Sequence, residues 1–226
     1  MAGKSVVTEA HVRDAQRAGQ RSLVAPAGAL ITPLARDAAR AAGITIEHGA
    51  PASVARVEAD SRPTPATASS AKKAPPGSVV IGSDHGGFPL KQELIPVLKA
   101  AGLHIVDIGT DSPAACDYPD FAYGVARMVA DGRAELGIMI DGAGIGSSMV
   151  CNKVPGIRAA CAYNEFTAWN ARAHNNANVL TLGSRTLGIE VVKRIVTTFL
   201  ETAFEGGRHA KRVDKMTDIE TRFSTL

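Results

Sequence analysis

Cysteine is scarce in this chain of 226 residues: Cys116, Cys151 and Cys161 are the three present, with no CxxC pair and no Cys/His spacing of a zinc ligand set. An odd number of thiols argues against a disulfide framework and suits a reducing compartment. Long apolar runs are missing too. Nothing approaches the roughly 20 residues needed to span a bilayer, and the first residues lack the apolar core of a signal peptide. The expectation is a cytoplasmic protein with no membrane partner. The body of the chain also lacks a surplus of charge of one sign. Residues 1–77 hold 10 Lys and Arg against 6 Asp and Glu, whereas residues 78–226 hold 15 against 16. So balanced a body has no basic footprint for nucleic acid, and its arginines read as local anion contacts.

With 45% hydrophobic residues the chain can build one sizeable core and a smaller appendage. Residues 59–77, rich in Pro, Ala and Ser, cannot bury enough surface to offset their ordering entropy and read as a flexible linker. Before them, residues 1–58 form a small module. Thr8 caps a helix running to about Ala18, Arg21 to Ala25 suits a short strand, and Thr32-Pro33 opens a second helix that Gly43 ends. Two short helices and two strands at most make a marginal unit, which would gain stability by docking on something else.

From residue 78 the pattern becomes regular. Apolar runs at 79–81, 104–108, 136–140, 158–162 and 179–182 read as strands. Amphipathic stretches at 88–101, 121–131, 145–152, 165–173, 189–204 and 208–222 read as helices. Strands that are apolar throughout imply a parallel sheet covered on both faces, with ligands bound beyond the carboxyl ends of the strands.

Four polar clusters accompany these elements. Gly82-Ser-Asp-His-Gly-Gly87 follows the first strand, where Asp84 and His85 either face a ligand or serve as helix cap and loop residue. Ile138-Met-Ile-Asp-Gly-Ala-Gly-Ile-Gly-Ser-Ser148 runs from a strand through Asp141 into a glycine loop. The amides of Gly142, Gly144 and Gly146, with the helix end behind them, favour an oxyanion or phosphate. The spacing departs from GxGxxG at Ser147, no Walker lysine follows, and Asp141 could equally cap the helix. In Arg172-Ala-His-Asn-Asn-Ala-Asn178, His174 can exchange a proton near neutral pH and Asn175 can hold a hydroxyl. In Gly206-Gly-Arg-His-Ala-Lys-Arg212, Arg208 and Arg212 stand one helical turn apart, which suits phosphate or a solvated helix start.

Taken together, Gly82-Ser-Asp-His-Gly-Gly-Phe88, Asp117-Tyr-Pro119, Gly142-Ala-Gly-Ile-Gly146, Asn152-Lys-Val-Pro-Gly-Ile-Arg-Ala159, His174-Asn175, Asn178-Val-Leu, Gly183-Ser-Arg185 and Glu205-Gly-Gly-Arg-His209 give residues 78–226 a family likeness. They resemble the ribose 5-phosphate isomerase B family, with its galactose 6-phosphate and allose 6-phosphate isomerases. The resemblance implies an α/β fold, a Rossmann-like three-layer sandwich around a five-stranded parallel sheet, and an aldose–ketose isomerase that works through an enediolate without metal or organic cofactor. It implies that His174 opens the sugar ring and that the backbone of Gly142, Ala143, Gly144, Ile145 and Gly146 stabilises the enediolate. His85, Arg208 and Arg212 would hold the phosphate, while Asp84, Tyr118 and Asn175 line the sugar. The site would be shared across a homodimer, or a dimer of dimers.

The departure lies at Asp141, where many members of the family carry a cysteine base, and at Ala143, where a threonine is usual; a glutamate used by another branch falls at Ser147. A desolvated carboxylate can do the same proton transfer, so Asp141 is expected to be the base and the sugar to be uncertain among ribose 5-phosphate and its relatives. The rival is a phosphosugar-binding or scaffolding protein without a base. Ala29-Leu-Ile-Thr-Pro-Leu-Ala-Arg-Asp-Ala-Ala-Arg-Ala-Ala-Gly-Ile44 resembles a motif of enzymes housed in bacterial microcompartments. That resemblance implies a targeting or assembly role with a shell protein as partner; a small oligomerisation module is the alternative.

Overall fold

In the computed structural model, residues 6–49 and 74–224 are described, and the chain divides into two compact units, Met1–Lys72 and Lys73–Leu226. Most of the expected linker, residues 59–73, lies outside the described residues. Its last four residues do not behave as a linker. Ala74 donates its N–H to Gly132 O at 2.9 Å and Gly77 donates to Glu135 Oε2 at 2.9 Å, so both are tied to the second unit.

The first unit runs β1 (Val6–Val7), α1 (Glu9–Arg17), β2 (Ser22–Ala25), β3 (Leu30–Ile31), α2 (Pro33–Ala42) and β4 (Thr45–His48), with four strands where two were expected. Both helices begin after a threonine, Thr8 and Thr32, the latter accepting from Ala35 N at 3.1 Å. Each is followed by a left-handed glycine, Gly19 (φ 69°) and Gly43 (φ 65°). The unit is an internal repeat. β1 pairs in parallel with β3 through Val6↔Leu30 and Val7↔Ile31, and β2 pairs in parallel with β4 through Ser22↔Thr45. Val7, Val12, Ala15, Ala25, Ile31, Ala35, Ala39 and Ile44 form its core. Alanine supplies half of it, which is why no strong hydrophobic period announced the repeat.

The second unit continues with β5 (Ser78–Ser83), α3 (Phe88–Ala100), β6 (His104–Asp107), α4 (Tyr118–Ala130), β7 (Leu136–Asp141), α5 (Ile145–Cys151), β8 (Ala159–Cys161), α6 (Glu165–Ala173), β9 (Val179–Gly183), α7 (Ile189–Glu201) and α8 (Ala210–Ser224). Its five strands are all parallel, in the order β6-β5-β7-β9-β8. This is the expected three-layer α/β sandwich. Val79, Ile81, Ile138, Ile140, Leu180 and Leu182 face α3, α6 and α7 in one continuous core. On the other face α4 sits tightly over Gly82 and Gly137, where an added Cβ would lie 2.8 and 2.7 Å from Val125. The chain leaves β5 for β6 and then crosses back to β7, which makes the β5/β7 seam a topological switch point.

Below that seam, Lys91 of α3 is fully buried, and its Nζ donates to Asp107 Oδ1 at 2.6 Å and to Thr110 O at 2.9 Å. The pair clamps the end of β6 to α3. Asp107 keeps partial contact with solvent and a second bond from Gly109 N, whereas the ammonium is shut off from solvent and Asp107 is its one charged partner in this pair. The two partners should therefore be unequal on mutation. Lys91→Met, which keeps the volume, is expected to cost about 1 kcal/mol, and Asp107→Ala, which strands the buried cation, about 3 kcal/mol. Urea midpoints at constant m-value measure both; equal losses would contradict this ordering.

Candidate active site

The carboxyl ends of β5 and β7 lie side by side, Ser83 pairing with Ile140, and Asp84 N donates to Ile140 O at 3.2 Å. Asp84, just after β5, and Asp141, the last residue of β7, thus both stand where strands end at the switch point. The turn after β5 is pressed onto β7, since a Cβ on Gly87 would stand 2.2 Å from Ile140 O, a distance only glycine avoids. Ser184, after β9, donates its hydroxyl to Gly86 O at 2.9 Å and closes the floor. Asp84 Oδ1 accepts from Gly87 N at 2.8 Å, so this residue also serves as the turn's cap. His85 Nδ1 lies 3.1 Å from Cys116 O and 3.3 Å from Cys116 N. Tyr118 opens α4 and lies against the loop after β7, its Oη 2.6 Å from where a Cβ on Gly146 would be.

Asp141 ends β7 with its side chain turned into its own loop. Oδ1 accepts from Ala143 N at 2.8 Å and from Gly144 N, and Oδ2 accepts from Ser147 N at 3.2 Å and from Ser147 Oγ. Both residues are buried, Asp141 being 5% exposed and Ser147 0%. This corrects one expectation. The Ala143 and Gly144 amides, expected to face a substrate oxyanion, face the Asp141 carboxylate instead, as the left-handed turn at Gly144 (φ 79°) brings the loop back onto the end of β7. The amides of Ile145 and Gly146, in the first turn of α5, have no helical acceptor and remain for an anion. The loop is fixed from behind by Thr181 Oγ1 to Gly144 O at 2.8 Å, Tyr163 Oη to Ala143 O at 3.2 Å and Arg185 N to Gly142 O at 3.0 Å.

Two of these neighbours were not singled out from the sequence. Tyr163 carried no motif. Arg185 was legible only as part of Gly183-Ser-Arg185, yet its exposed side chain passes the Gly142 backbone, Cδ lying 3.8 Å from the glycine's would-be Cβ. Two of the thiols, Cys151 and Cys116, are poor nucleophiles. Burial pushes Cys151 up to about 12, with the Asp141 charge adding to it, and burial likewise raises Cys116.

His174, Asn175, Arg208 and Arg212 gather elsewhere. His174 follows α6, and with the Asn170 amide donating to Nδ1 at 2.9 Å its Nε2 faces Glu205 Oε2 at 3.5 Å. Asn175 donates to Asn170 O and Oδ1, both at 3.1 Å. The His174 ring stacks on His209 with centroids 3.9 Å apart and planes within 7°, and Trp169 meets it edge-on. Arg208 was expected on the face of the last helix, but α8 begins at Ala210. Arg208 sits in the turn that follows left-handed Gly206 and Gly207, donating Nε to His209 Nε2 at 3.2 Å. Burial, then the charges of His174, Arg208 and Arg212, hold His209 below the usual histidine range, against the pull of Glu205.

His174, Glu205 and His209 also offer three metal-ligand atoms within 4.8 Å of one another. The near-parallel stack means that an ion in the plane of one imidazole lies out of the plane of the other. A three-ligand site would require one ring to turn.

One chain does not bring the two groups together. Asp141 stands at the carboxyl end of β7, while His174 and Asn175 precede the amino end of β9, where Val179 pairs with Gly137 at the start of β7. At about 3.3 Å per residue, the length of the strand separates them. Ile145, Met149, Tyr163 and Phe166, beside the sheet edge at β8, and Met216, Ile219 and Phe223 along α8 are exposed. Among the described residues no helix is long and apolar enough to cross a membrane.

Residues 79–216 match the Ribose/Galactose Isomerase family. The chain is 44% identical over 144 residues to ribose-5-phosphate isomerase B of Escherichia coli strain K12, covering 97% of that protein and 64% of this one. It is 40% identical over 140 residues to D-erythrulose-4-phosphate isomerase of Pectobacterium atrosepticum, covering 92% of it and 62% of this chain. Among solved structures, ribose-5-phosphate isomerase B of Clostridium thermocellum superposes with a TM-score of 0.64 at 46% identity, covering 99% of that chain and 65% of this one. The Mycoplasma genitalium enzyme with bound ribulose-5-phosphate gives 0.61 at 44%, covering 96% of that chain and 64% of this one.

The histidine stack has a pH signature. Unfolded histidine titrates near 6.5 and folded His209 lower, so below about pH 6.5 the unfolded chain binds the extra proton. This contribution to stability is complete above that pH and is lost as pH falls toward the folded value. His209→Phe should flatten the dependence of Tm on pH between about 6.5 and 5; an unchanged slope would exclude His209 as its source.

Proposed function

Since the chain belongs to the Ribose/Galactose Isomerase family and is an isomerase, we propose that it interconverts an aldose phosphate and a ketose phosphate through an enediolate, with ribose 5-phosphate and ribulose 5-phosphate as the first candidates. The observation that carries the reading is the placement of Asp141. A buried carboxylate ends the central strand at the switch point, flanked by Asp84, His85 and Tyr118. In this reading His174 protonates the ring oxygen to open the sugar, and Asp141 takes the proton from C2. As the C2–H bond breaks, its electron pair forms the C1=C2 bond and the carbonyl oxygen gains the negative charge. The amides of Ile145 and Gly146 stabilise that oxygen, the O2 hydroxyl proton then passes to O1, and Asp141 returns its proton to C1 as the C2=O bond forms. His85, Arg208 and Arg212 hold the phosphate, and Asp84, Tyr118 and Asn175 line the sugar.

Such a site needs two chains. The base and the ring-opening histidine lie at opposite ends of β7 within one chain, and the exposed apolar residues at β8 and α8 offer a surface for a second copy. A homodimer, or a dimer of dimers, would then place His174, Arg208 and Arg212 of one protomer over the Asp141 loop of its partner. The sugar itself is open. Ala143 brings no hydroxyl to the pocket, and one relative is named for a four-carbon ketose phosphate, so a panel of four- to six-carbon aldose phosphates is the assay of choice.

Asp141→Asn and His174→Asn should each lose at least about a hundredfold in turnover, Asp141→Asn also losing solvent-deuterium exchange at C2. Co-expressed, the two inactive variants should regain about a quarter of wild-type activity, since half the dimers are mixed and one of their two sites is intact. Near-normal turnover of Asp141→Asn refutes the base; absence of complementation refutes the shared site.

The first unit stands outside the alignment with the relatives, which residues of the second unit match over nearly their whole length. In keeping with its own core, we read it as a separable targeting or assembly module that addresses the enzyme to a microcompartment shell. Deleting residues 1–72 should leave isomerase activity intact and abolish co-purification with shells. Loss of activity would show that the module serves the catalytic unit instead.

A further inference from the structure

The hydrogen bonds that lead to His174 have a direction, and one carbonyl sets it. The backbone oxygen of Asn170 can only accept. Asn175 bonds to it at 3.1 Å, so the end of the Asn175 amide turned this way is Nδ2, which also donates to Asn170 Oδ1 at 3.1 Å. The Asn170 side chain is thereby fixed, with Oδ1 toward Asn175 and Nδ2 toward His174 Nδ1, 2.9 Å away. An amide nitrogen can only donate, so Nδ1 accepts and the neutral ring carries its hydrogen on Nε2. Turning the Asn170 amide over by itself would set two NH2 groups against each other. Turning both amides over would set Asn175 Oδ1 against the carbonyl.

The ring is also held in its plane. His209 stacks on it at 3.9 Å and Trp169 meets it edge-on, and a half-turn within that plane would put a C–H where the Asn170 amide needs an acceptor. His209 is the reverse case. Its Nε2 accepts from Arg208 Nε at 3.2 Å, so its own hydrogen is on Nδ1. Glu205 Oε2 stands 3.5 Å from His174 Nε2 and 3.8 Å from His209 Nε2, and of the two nitrogens that of His174 is the one carrying hydrogen. With Nδ1 closed off by Asn170, Nε2 is the nitrogen left for a ligand.

We propose that Asn170 is a positioning residue for ring opening: it holds His174 as the Nε2–H tautomer, so that the nitrogen meeting the ring oxygen of a furanose phosphate always brings a hydrogen. This rests on the reading of His174 as the ring-opening group. Asn170 touches no substrate and acts through the histidine. Over the whole opening, the C1–O4 electron pair goes to the ring oxygen O4 and the O1–H pair becomes the second C1=O1 bond. The O1 proton replaces the one that Nε2 gives to O4, so the imidazole ends as it began, neutral and protonated on Nε2. Asn175, whose Nδ2 is spent on Asn170, keeps Oδ1 for a sugar hydroxyl.

The tautomer is read from long-range nitrogen–proton NMR spectra of the histidine rings at about pH 8, where histidine is neutral, with His174 assigned by its loss in His174→Asn. Wild type should show Nε2–H. Asn170→Asp, which offers Nδ1 an acceptor in place of a donor, should show Nδ1–H. Ring opening is read separately, as exchange between the α and β anomers of ribose 5-phosphate in the Asp141→Asn background, where the later proton transfer is stopped. Adding Asn170→Asp should slow that exchange at least about tenfold. Nδ1–H in wild type, or the same tautomer in both proteins, overturns the proposal. A reversed tautomer with unchanged exchange overturns the positioning role, since the hydrogen on Nε2 would then not matter. Exchange that survives His174→Asn refutes instead the reading of His174 beneath it. Should Asn170→Asp not be recovered folded, Asn175→Asp, at an exposed position, turns the Asn170 amide over from its other side and should move the spectrum the same way; an unmoved spectrum overturns the proposal.

Discussion

The bonds that tie the Asp141 carboxylate to Ala143, Gly144 and Ser147 hold the rest of the site in place. They stop β7, turn the chain through left-handed Gly144 and launch α5 from a fixed point. The same loop then offers its carbonyls to Thr181, Tyr163 and the Arg185 amide, so β9 and the segment after β8 take their positions from it. A buried carboxylate with no partner would be costly; one with a full set of donors is a rigid element.

The Asp141 and His174 clusters are built on different physical grounds. Around Asp141 the chain uses backbone amides and closely packed glycines, so the geometry is fixed by main-chain turns. Around His174 it uses stacked rings and side-chain donors: His209 below, Trp169 at the edge, Asn170 and Glu205 on the ring nitrogens. Burial and the charges of His174, Arg208 and Arg212 disfavour a second proton on His209, and with it a further positive charge in the stack.

Much of the second unit was legible because parallel strands buried on both faces read as plain apolar runs. All five strands fell within a few residues of their expected places, and the helix from Glu165 to Ala173 fell on them. The clusters at Asp84, Asp141, His174 and Arg208 were legible as residues but not as a geometry. The strand order, and with it the gulf between Asp141 and His174, depends on which strand the chain crosses back to, and no local pattern records that. The direction of the Asp141 side chain depends on competition between its own loop and the pocket, which the short reach of aspartate decides. The start of α8 was read two residues early because Gly206 and Gly207 adopt left-handed conformations that periodicity does not reveal. In the first unit, alanine carries too little hydrophobic signal for its repeat to show.

That repeat has a topological consequence. Each copy of strand, helix and strand supplies one strand to each two-stranded sheet, β1 and β2 from the first, β3 and β4 from the second. Neither copy can pair its own strands. A half-module would leave every strand edge open, so each copy depends on the other for all of its strand pairing.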